Sequence, residues 1–194
     1  MVIGVSTGGP DALMHVIPQI PPTLPVPVAV VQHIIPGYLH MLCNRLSLER
    51  VKVWGPTAAS SVELAQNRGG LLPGKVYFGP DGSHLRFRNG KAWLTDRPTD
   101  HLHCPAVDVL FASAAENYGA GTLGVVMTGM GADGSRGGMR VKKAGGVLLA
   151  QDEATSQVYG MPKVVVDLHL ADMVVPLEHI APTIMRIVKA RNGG

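Results

Sequence analysis

The sequence has few aromatic residues and little net charge. Aromatic side chains make up 5% of the 194 residues, so the core must be largely aliphatic, which favours a buried parallel sheet over an aromatic-rich sandwich. The net charge is only +3 and the basic residues are scattered, so the composition argues against a nucleic-acid partner. The length permits one domain spanning residues 1–194 with a single sizeable core.

Cysteine and long apolar runs are also scarce. The two cysteines, Cys43 and Cys104, lie far apart and form neither a zinc spacing nor a disulfide framework, which indicates a reducing compartment. No stretch has the uninterrupted apolar length of a membrane helix, and the first residues lack the features of a signal peptide. We therefore predict a cytoplasmic protein that is not a membrane protein.

Short apolar runs alternate with segments of helical period along the chain. This alternation predicts an α/β fold, a doubly wound and mostly parallel sheet with helices on both faces. Residues 75–96 are rich in turn signals, and Asn89-Gly90 predicts an antiparallel β-hairpin as an excursion from that sheet. We expect strands at 2–5, 28–32, 51–54, 122–127, 146–150 and 172–175, and helices at 10–20, 36–46, 107–118, 134–143, 160–167 and from about Pro182 onward.

Polar residues follow three of these predicted strands directly. Ser6 follows the first strand, His33 follows the second, and a glycine-rich loop at 128–134 that contains Asp133 follows a later one. In an open α/β sheet, ligands bind beyond the carboxyl ends of the strands. A nucleophile, a base and an acid are thus expected on the same edge of one sheet.

The glycines around Ser6 fit a nucleophile turn better than a phosphate loop. Glycines at 4, 8 and 9 do not match the spacing of a dinucleotide-binding loop, and the Gly-Lys-Ser/Thr ending of a Walker loop is absent. Gly4 to Gly8 does match G-x-S-x-G, in which a sharp strand-to-helix turn exposes the serine oxygen. The motif alone leaves a nucleophile and a helix-capping serine equally favoured.

Each candidate also has a plain structural interpretation. A histidine at a strand end is often a loop residue, and Asp133 is suited to cap the helix that follows it. Asp152 and Glu153 also follow a strand and compete for the acidic role. His101, His103 and Cys104 are metal ligands by type, but no fourth ligand stands at an obvious spacing, so we predict no metal and no cofactor.

Five motifs together resemble one family. "IGVSTGGP", "VVQHIIPG", "PAVDVLFASAA", "MTGMGADGSRGG" and "QDEATSQVYGMPK" occur in the order and rough spacing of the catalytic domain of chemotaxis protein-glutamate methylesterases. The likeness runs from about Val2 to Ile187. It implies a cytoplasmic serine hydrolase that removes methyl groups from glutamate methyl esters on the cytoplasmic domain of chemoreceptors, with deamidation of receptor glutamines in many members.

The resemblance also implies roles for individual residues. Ser6 matches the nucleophile, His33 the general base, and Asp133 the acid that orients the histidine. The backbone N–H groups of Thr7 and Met130 match the oxyanion site. Glycines in the same motifs are expected to support the turns, namely Gly4, Gly8, Gly9, Gly129 and Gly131.

Two features depart from the family pattern. Cys104 stands where members commonly carry an arginine, which bears on substrate preference. A receiver domain usually precedes this domain, so we expect the chain to be the carboxyl-terminal part of a longer response regulator. Two alternatives remain: a non-catalytic receptor-docking module of the same fold, and a serine hydrolase that acts on a different ester or amide.

Overall fold

The computed structural model describes residues 1–58, 61–96 and 103–192. Seven strands form one parallel sheet in the order β3-β4-β2-β1-β7-β8-β9. Buried aliphatic runs form its centre, as predicted for a sheet covered on both faces. The strands are β1 (Val2–Val5), β2 (Val28–Gln32), β3 (Val62–Leu64), β4 (Val76–Phe78), β7 (Leu123–Val126), β8 (Val147–Gln151) and β9 (Met173–Val175).

Helices cover both faces of this sheet and bury two separate apolar clusters against it. Helices α1, α2 and α6 pack on one face, while α3, α4 and α5 pack on the other together with a two-stranded hairpin. The helices are α1 (Gly9–Val16), α2 (Leu39–Trp54), α3 (Val107–Tyr118), α4 (Ser135–Lys143), α5 (Met161–Asp167) and α6 (Leu177–Asn192). The predicted α/β fold with helices on both faces is confirmed.

The predicted hairpin is present as well. Its strands are β5 (His84–Arg88) and β6 (Lys91–Thr95), and they pair antiparallel. Asn89 and Gly90, the two residues of the turn, both have positive φ, at 51° and 72°. This is the backbone of a type I′ turn, whose twist matches that of the flanking strands.

The strand order reverses at β1, and this reversal positions the candidate site. From β1 the chain crosses to β2 on one side, whereas β7 lies on the other side of β1 and leads outward to β8 and β9. Gly4 is the partner of both Val31 and Val126 in the two ladders, so the carboxyl ends of the three strands lie level. A crevice at such a switch point is where open α/β sheets bind ligands.

The strand predicted at 51–54 is wrong, because these residues form the last turn of α2. The alternation in Val-Lys-Val-Trp suggested a strand, but the helix buries a face that carries Leu46 and Arg50. Arg50 is fully buried and donates to the carbonyl oxygen of Gly74 at 3.0 Å, and the Trp54 indole N–H donates to that of Pro18 at 2.7 Å. A buried arginine at a helical core position hides the helical period from sequence analysis.

Two more predictions differ from the structure. Strands β3 and β4 were not predicted; each has only three residues, and β4 lies at the start of the segment expected to form the hairpin alone. The last helix begins at Leu177, so Pro182 lies inside α6 and not in its first turn. Among the described residues, no helix is long and apolar enough to cross a membrane.

Gly4 allows α3 to approach the central strand. A Cβ at this position would lie 2.2 Å from Cγ1 of Val107, the first residue of α3. We predict that Gly4→Ala lowers the free energy of unfolding by about 1–3 kcal/mol, because the packed core has no room for the methyl group. Chemical denaturation monitored by circular dichroism measures the change. Gly121→Ala is the control, since nothing lies within 4 Å of its Cβ position; equal stability losses in the two variants would contradict the packing argument.

Candidate active site

Backbone hydrogen bonds continue the sheet by one residue beyond its central strands. The N–H of Ser6 donates to the carbonyl oxygen of Thr128 at 3.0 Å, and the N–H of His33 donates to that of Val5 at 3.0 Å. The residues that follow β1, β2 and β7 therefore stand side by side at the carboxyl edge. The predicted juxtaposition of these three loops is present.

A tight turn follows Ser6. The N–H of Gly9 donates to the carbonyl oxygen of Ser6 at 2.8 Å. Gly8 has φ 79° and ψ −3°, the values of the third residue of a type II turn, where glycine is favoured. Gly8 is also the N-cap of α1 and no side chain caps that helix, so Ser6 is not a helix-capping serine. Its hydroxyl makes no hydrogen bond to any described residue.

Thr128 fixes this turn from the neighbouring loop. Its carbonyl oxygen accepts the N–H of Ser6, and its hydroxyl donates to the carbonyl oxygen of Thr7 at 2.9 Å. Its own N–H donates to Oε1 of the buried Gln151 at 2.8 Å. Thr128 thus holds two consecutive residues of the turn. Sequence analysis did not single it out, although it lies in the glycine-rich loop that was identified.

Gln32 connects the loops that carry Ser6 and His33. Its Nε2 donates to the carbonyl oxygens of Ser6 at 2.9 Å and of His33 at 2.8 Å, and the residue is 2% exposed. A Cβ on Gly9 would lie 2.1 Å from its Oε1, so the glycine provides the room that this side chain occupies. Sequence analysis also missed Gln32. The available signal was a polar residue at the end of the buried strand Val28–Gln32.

His33 and Asp133 lie in direct contact. Nε2 of His33 is 2.9 Å from Oδ2 of Asp133, and each side chain is only 11% exposed. Nδ1 of His33 is buried and has no hydrogen-bond partner among the described residues. The carboxylate therefore faces one ring nitrogen, and the other is not occupied by any described residue.

Asp133 does not cap the helix that follows it. Its two carboxylate oxygens accept the N–H groups of Val107 and Asp108, each at 2.8 Å, so it caps α3. In return, Oδ1 of Asp108 accepts the N–H groups of Gly134 and Gly137, each at 2.8 Å, at the start of α4. The interpretation of Asp133 as a cap of its own helix is wrong, because the two carboxylates cap each other's helices.

These contacts keep Asp133 ionised. Burial alone would raise the pKa of its carboxyl group, but the interaction with the His33 side chain and the N–H donors of Asp108 and Val107 outweigh it. The pKa therefore lies below its usual value of 3.8. A charged carboxylate at this position is a strong hydrogen-bond acceptor beside the ring of His33.

Thr7 directly follows Ser6, and Met130 lies in the neighbouring glycine-rich loop. Neither backbone N–H donates to another described residue, and both residues are exposed. Gly129 brings the second loop close, since a Cβ there would lie 2.6 Å from Cβ of Ser6. Gly131, with φ 88°, continues this loop in a left-handed conformation that favours glycine.

His103 is a further residue of this site. Its ring stacks on that of His33 with centroids 4.2 Å apart and an angle of 26° between the rings. Burial, and then the neighbouring His33, lower the pKa of His103. Sequence analysis named His103 only as a possible metal ligand, and no signal in the sequence linked it to His33.

The other candidate residues lie apart from this arrangement. Oδ1 of Asp152 accepts the N–H and the hydroxyl of Thr155, at 3.0 and 2.6 Å, so this carboxylate is occupied within its own turn. Cys104 is an exposed free thiol whose pKa is raised by burial and by Asp96, so it is not a ready thiolate. His101 lies outside the described residues, and the described residues contain no metal-binding cluster of His, Cys, Asp and Glu.

The family model described as CheB methylesterase matches residues 1–184. The chain belongs to the CheB methylesterase family. It is similar to the protein-glutamate methylesterase/protein-glutamine glutaminase of Desulfitobacterium hafniense, with 41% identity over 98% of this chain and 48% of the relative. The enzyme of the same name from Pyrococcus abyssi is 38% identical over 100% of this chain and 52% of the relative.

A solved structure supports the family assignment. The CheB methylesterase catalytic domain of Thermotoga maritima superposes with a TM-score of 0.84 at 37% sequence identity, and 96% of each chain is covered. The chain spans about half the length of the curated CheB relatives it matches. The resemblance read from the five sequence motifs is therefore confirmed at the level of the family and its fold.

Asp133 has a structural role that pH can reveal. We predict that Asp133→Asn lowers the free energy of unfolding by about 1–2 kcal/mol near neutral pH, because an amide accepts only one of the two N–H donors at α3. The native pKa is below the unfolded one, so this carboxylate stabilises the fold above about pH 4 and loses that effect as the pH falls through its native pKa.

The measurement is the free energy of unfolding of both proteins between about pH 2 and 7. The difference between them should shrink as the pH falls. Asp11→Asn is the control, since Asp11 is exposed and its substitution removes no cap between helices. A difference for Asp133→Asn that stays constant over the whole range would contradict the role of the ionised carboxylate.

Proposed function

We propose that this domain is a serine hydrolase that converts glutamate methyl esters of chemoreceptors to glutamate and methanol. The observation that carries the proposal is the 2.9 Å contact between Asp133 and Nε2 of His33, beside the turn that carries Ser6, whose hydroxyl makes no hydrogen bond to a described residue. Family membership and the names of the relatives support the substrate class. Deamidation of receptor glutamines is proposed as a second reaction of the same site.

In the first half-reaction, the hydroxyl oxygen of Ser6 attacks the ester carbonyl carbon. Nδ1 of His33 takes the hydroxyl proton, while Asp133 stabilises the imidazolium through Nε2. The N–H groups of Thr7 and Met130 donate to the oxyanion, and each such donor is typically worth about 2.7–4 kcal/mol. Collapse breaks the bond to methoxide, which leaves as methanol with the proton from His33.

The second half-reaction releases the acid product. Water gives a proton to His33 and attacks the acyl-enzyme, and the tetrahedral intermediate expels the oxygen of Ser6, which takes the proton back. The product is a glutamate carboxylate. Deamidation follows the same course, with ammonia as the leaving group.

This proposal is preferred over a non-catalytic docking module. A pure binding domain has no need of an ionised Asp133 that contacts a largely buried histidine and two backbone N–H groups, next to a tight turn that carries a serine. A serine hydrolase with a different ester or amide substrate is the remaining alternative. Cys104, which replaces the arginine common in the family, is the feature that favours it.

The setting of this domain is proposed from the family resemblance. We propose a cytoplasmic protein in which a receiver domain precedes residues 1–194, covers the carboxyl edge of the sheet and withdraws when phosphorylated. Exposed apolar side chains near this edge, such as Ile35, Tyr38 and Met130, are suited to such a contact. The same side chains would contact the receptor when the edge is open.

Ser6→Ala tests the assignment of the nucleophile. We expect methanol release from a methylated receptor fragment to fall by about 10³-fold or more, because the attacking oxygen is lost. The unfolding midpoint should stay close to that of the original protein, since the hydroxyl makes no hydrogen bond to any residue that the structure describes. Ser47→Ala, which removes a hydroxyl on α2, is the control. Full activity in purified Ser6→Ala protein would refute the proposal.

The proposed receiver domain is tested by restoring it. A protein that carries both domains should release methanol more slowly than residues 1–194 alone when unphosphorylated, and a small-molecule phosphate donor should raise that rate. Replacing the phosphorylated aspartate by alanine should abolish the response to the donor. Equal rates with and without the receiver domain would contradict the covering of the edge and leave the hydrolase proposal intact.

A further inference from the structure

The outer face of the hairpin carries a cluster of basic side chains. Arg86 pairs with Trp93 and Arg88 with Lys91 in the register of β5 and β6, so these four side chains point to the same side. Arg68 lies on the other side of β6, where its N–H donates to the carbonyl oxygen of Ala92 at 2.8 Å. We call these five residues the basic face: Arg68, Arg86, Arg88, Lys91 and Trp93.

Trp93 holds two of the cations in place. The guanidinium carbons of Arg68 and Arg88 each lie 5.0 Å from the centroid of its ring. Stacking of this kind is worth about 0.5–1 kcal/mol per pair at exposed sites and restricts the side chains. None of the four cations of the basic face forms an ion pair with a carboxylate among the described residues.

A groove runs beside this face. It has a volume of about 580 Å³ and lies between β5 and α3, with Arg86, Arg88, Trp93, Thr95, Glu116 and Asn117 among its lining residues. Among the described lining residues, Glu116 is the single carboxylate, and it forms no ion pair with the arginines. The described part of the groove therefore combines positive charge with hydrogen-bonding groups, and its arginines form no ion pair with a described carboxylate.

We propose that the basic face docks an acidic segment of the protein substrate, a surface with several glutamate or aspartate carboxylates. The proposal rests on the proposed function, whose reaction itself produces glutamate side chains on the substrate. Arginine forks match carboxylates in a bidentate way, and arginines already ordered on an indole lose less freedom on binding.

The place of the basic face suits this role. The hairpin begins at His84, and Nδ1 of His84 accepts the N–H of Ala106 at 3.2 Å. Ala106 directly precedes Val107, whose N–H donates to Asp133 in the candidate active site. Arg86 and Arg88 follow two and four residues along β5, about 7 and 14 Å from that point. One protein surface can therefore contact the active site and the basic face together.

A protein ligand is favoured over a single-stranded nucleic acid. Such nucleic acids bind by stacking bases on exposed aromatic rings. Trp93 is the aromatic residue of the basic face, and the two arginines already occupy its ring. The face therefore offers charge and hydrogen bonds, which is what carboxylates require.

The test compares two substrates in the Arg86→Ala/Arg88→Ala variant. With a methylated receptor fragment, kcat/KM should fall about 5- to 30-fold, mainly through KM, as expected for two exposed charge pairs. The remaining activity should also depend less on salt. With a short neutral peptide that contains one glutamate methyl ester, kcat/KM should stay within twofold. The control is Arg45→Ala/Lys189→Ala, which removes two exposed charges from helices on the opposite face of the sheet.

Each outcome is decisive. An unchanged kcat/KM for the receptor fragment, or an equal loss with the short peptide, overturns the docking role. Binding of the receptor fragment to Ser6→Ala protein, with and without the two arginine substitutions, measures docking separately from turnover. If the original protein hydrolyses neither ester, the proposed function fails, while the binding comparison still tests the basic face. Tighter binding of random single-stranded DNA than of the receptor fragment at 150 mM salt also overturns the proposal.

Discussion

Two carboxylates that cap each other's helices hold the candidate site together. Asp133 binds the first N–H groups of α3, and Asp108 binds those of α4, through four hydrogen bonds of 2.8 Å. Gly137 allows the two helices to approach closely, because a Cβ there would lie 2.7 Å from the carbonyl oxygen of Asp108. The carboxylate that faces His33 is thus fixed by the tertiary structure before any substrate is present.

Tertiary hydrogen bonds also fix the loops around Ser6. Backbone hydrogen bonds extend the sheet past its strand ends, so the first residues of the loops are held in place by the parallel strands. Gln32, Thr128 and Gln151 then satisfy the carbonyl and N–H groups that such loops would otherwise bury without partners. A functional arrangement on rigid elements requires little reorganisation during a reaction, which is the condition for strong electrostatic stabilisation.

Sequence analysis succeeded where the local pattern and the tertiary environment agree. The helix predicted at 107–118 matches α3 because its apolar period faces the sheet, and Asn89-Gly90 specifies its turn by backbone sterics alone. It failed where a few tertiary contacts decide. Strand β3 exists because β4 pairs with it, and the end of α2 stays helical because Arg50 and Trp54 find carbonyl partners at Gly74 and Pro18, in two distant segments.

By itself, the sequence determined the α/β class, the residues that follow each central strand and the family. Local periodicity and turn chemistry act over a few residues, and five motifs in order are specific as a set. Only the tertiary structure decided which groups meet. It placed Asp133 against His33, stacked His103 on His33, and brought Arg68 to the ring of Trp93. These contacts join residues distant in the chain, and the order of strands in the sheet, not their spacing in the sequence, sets them.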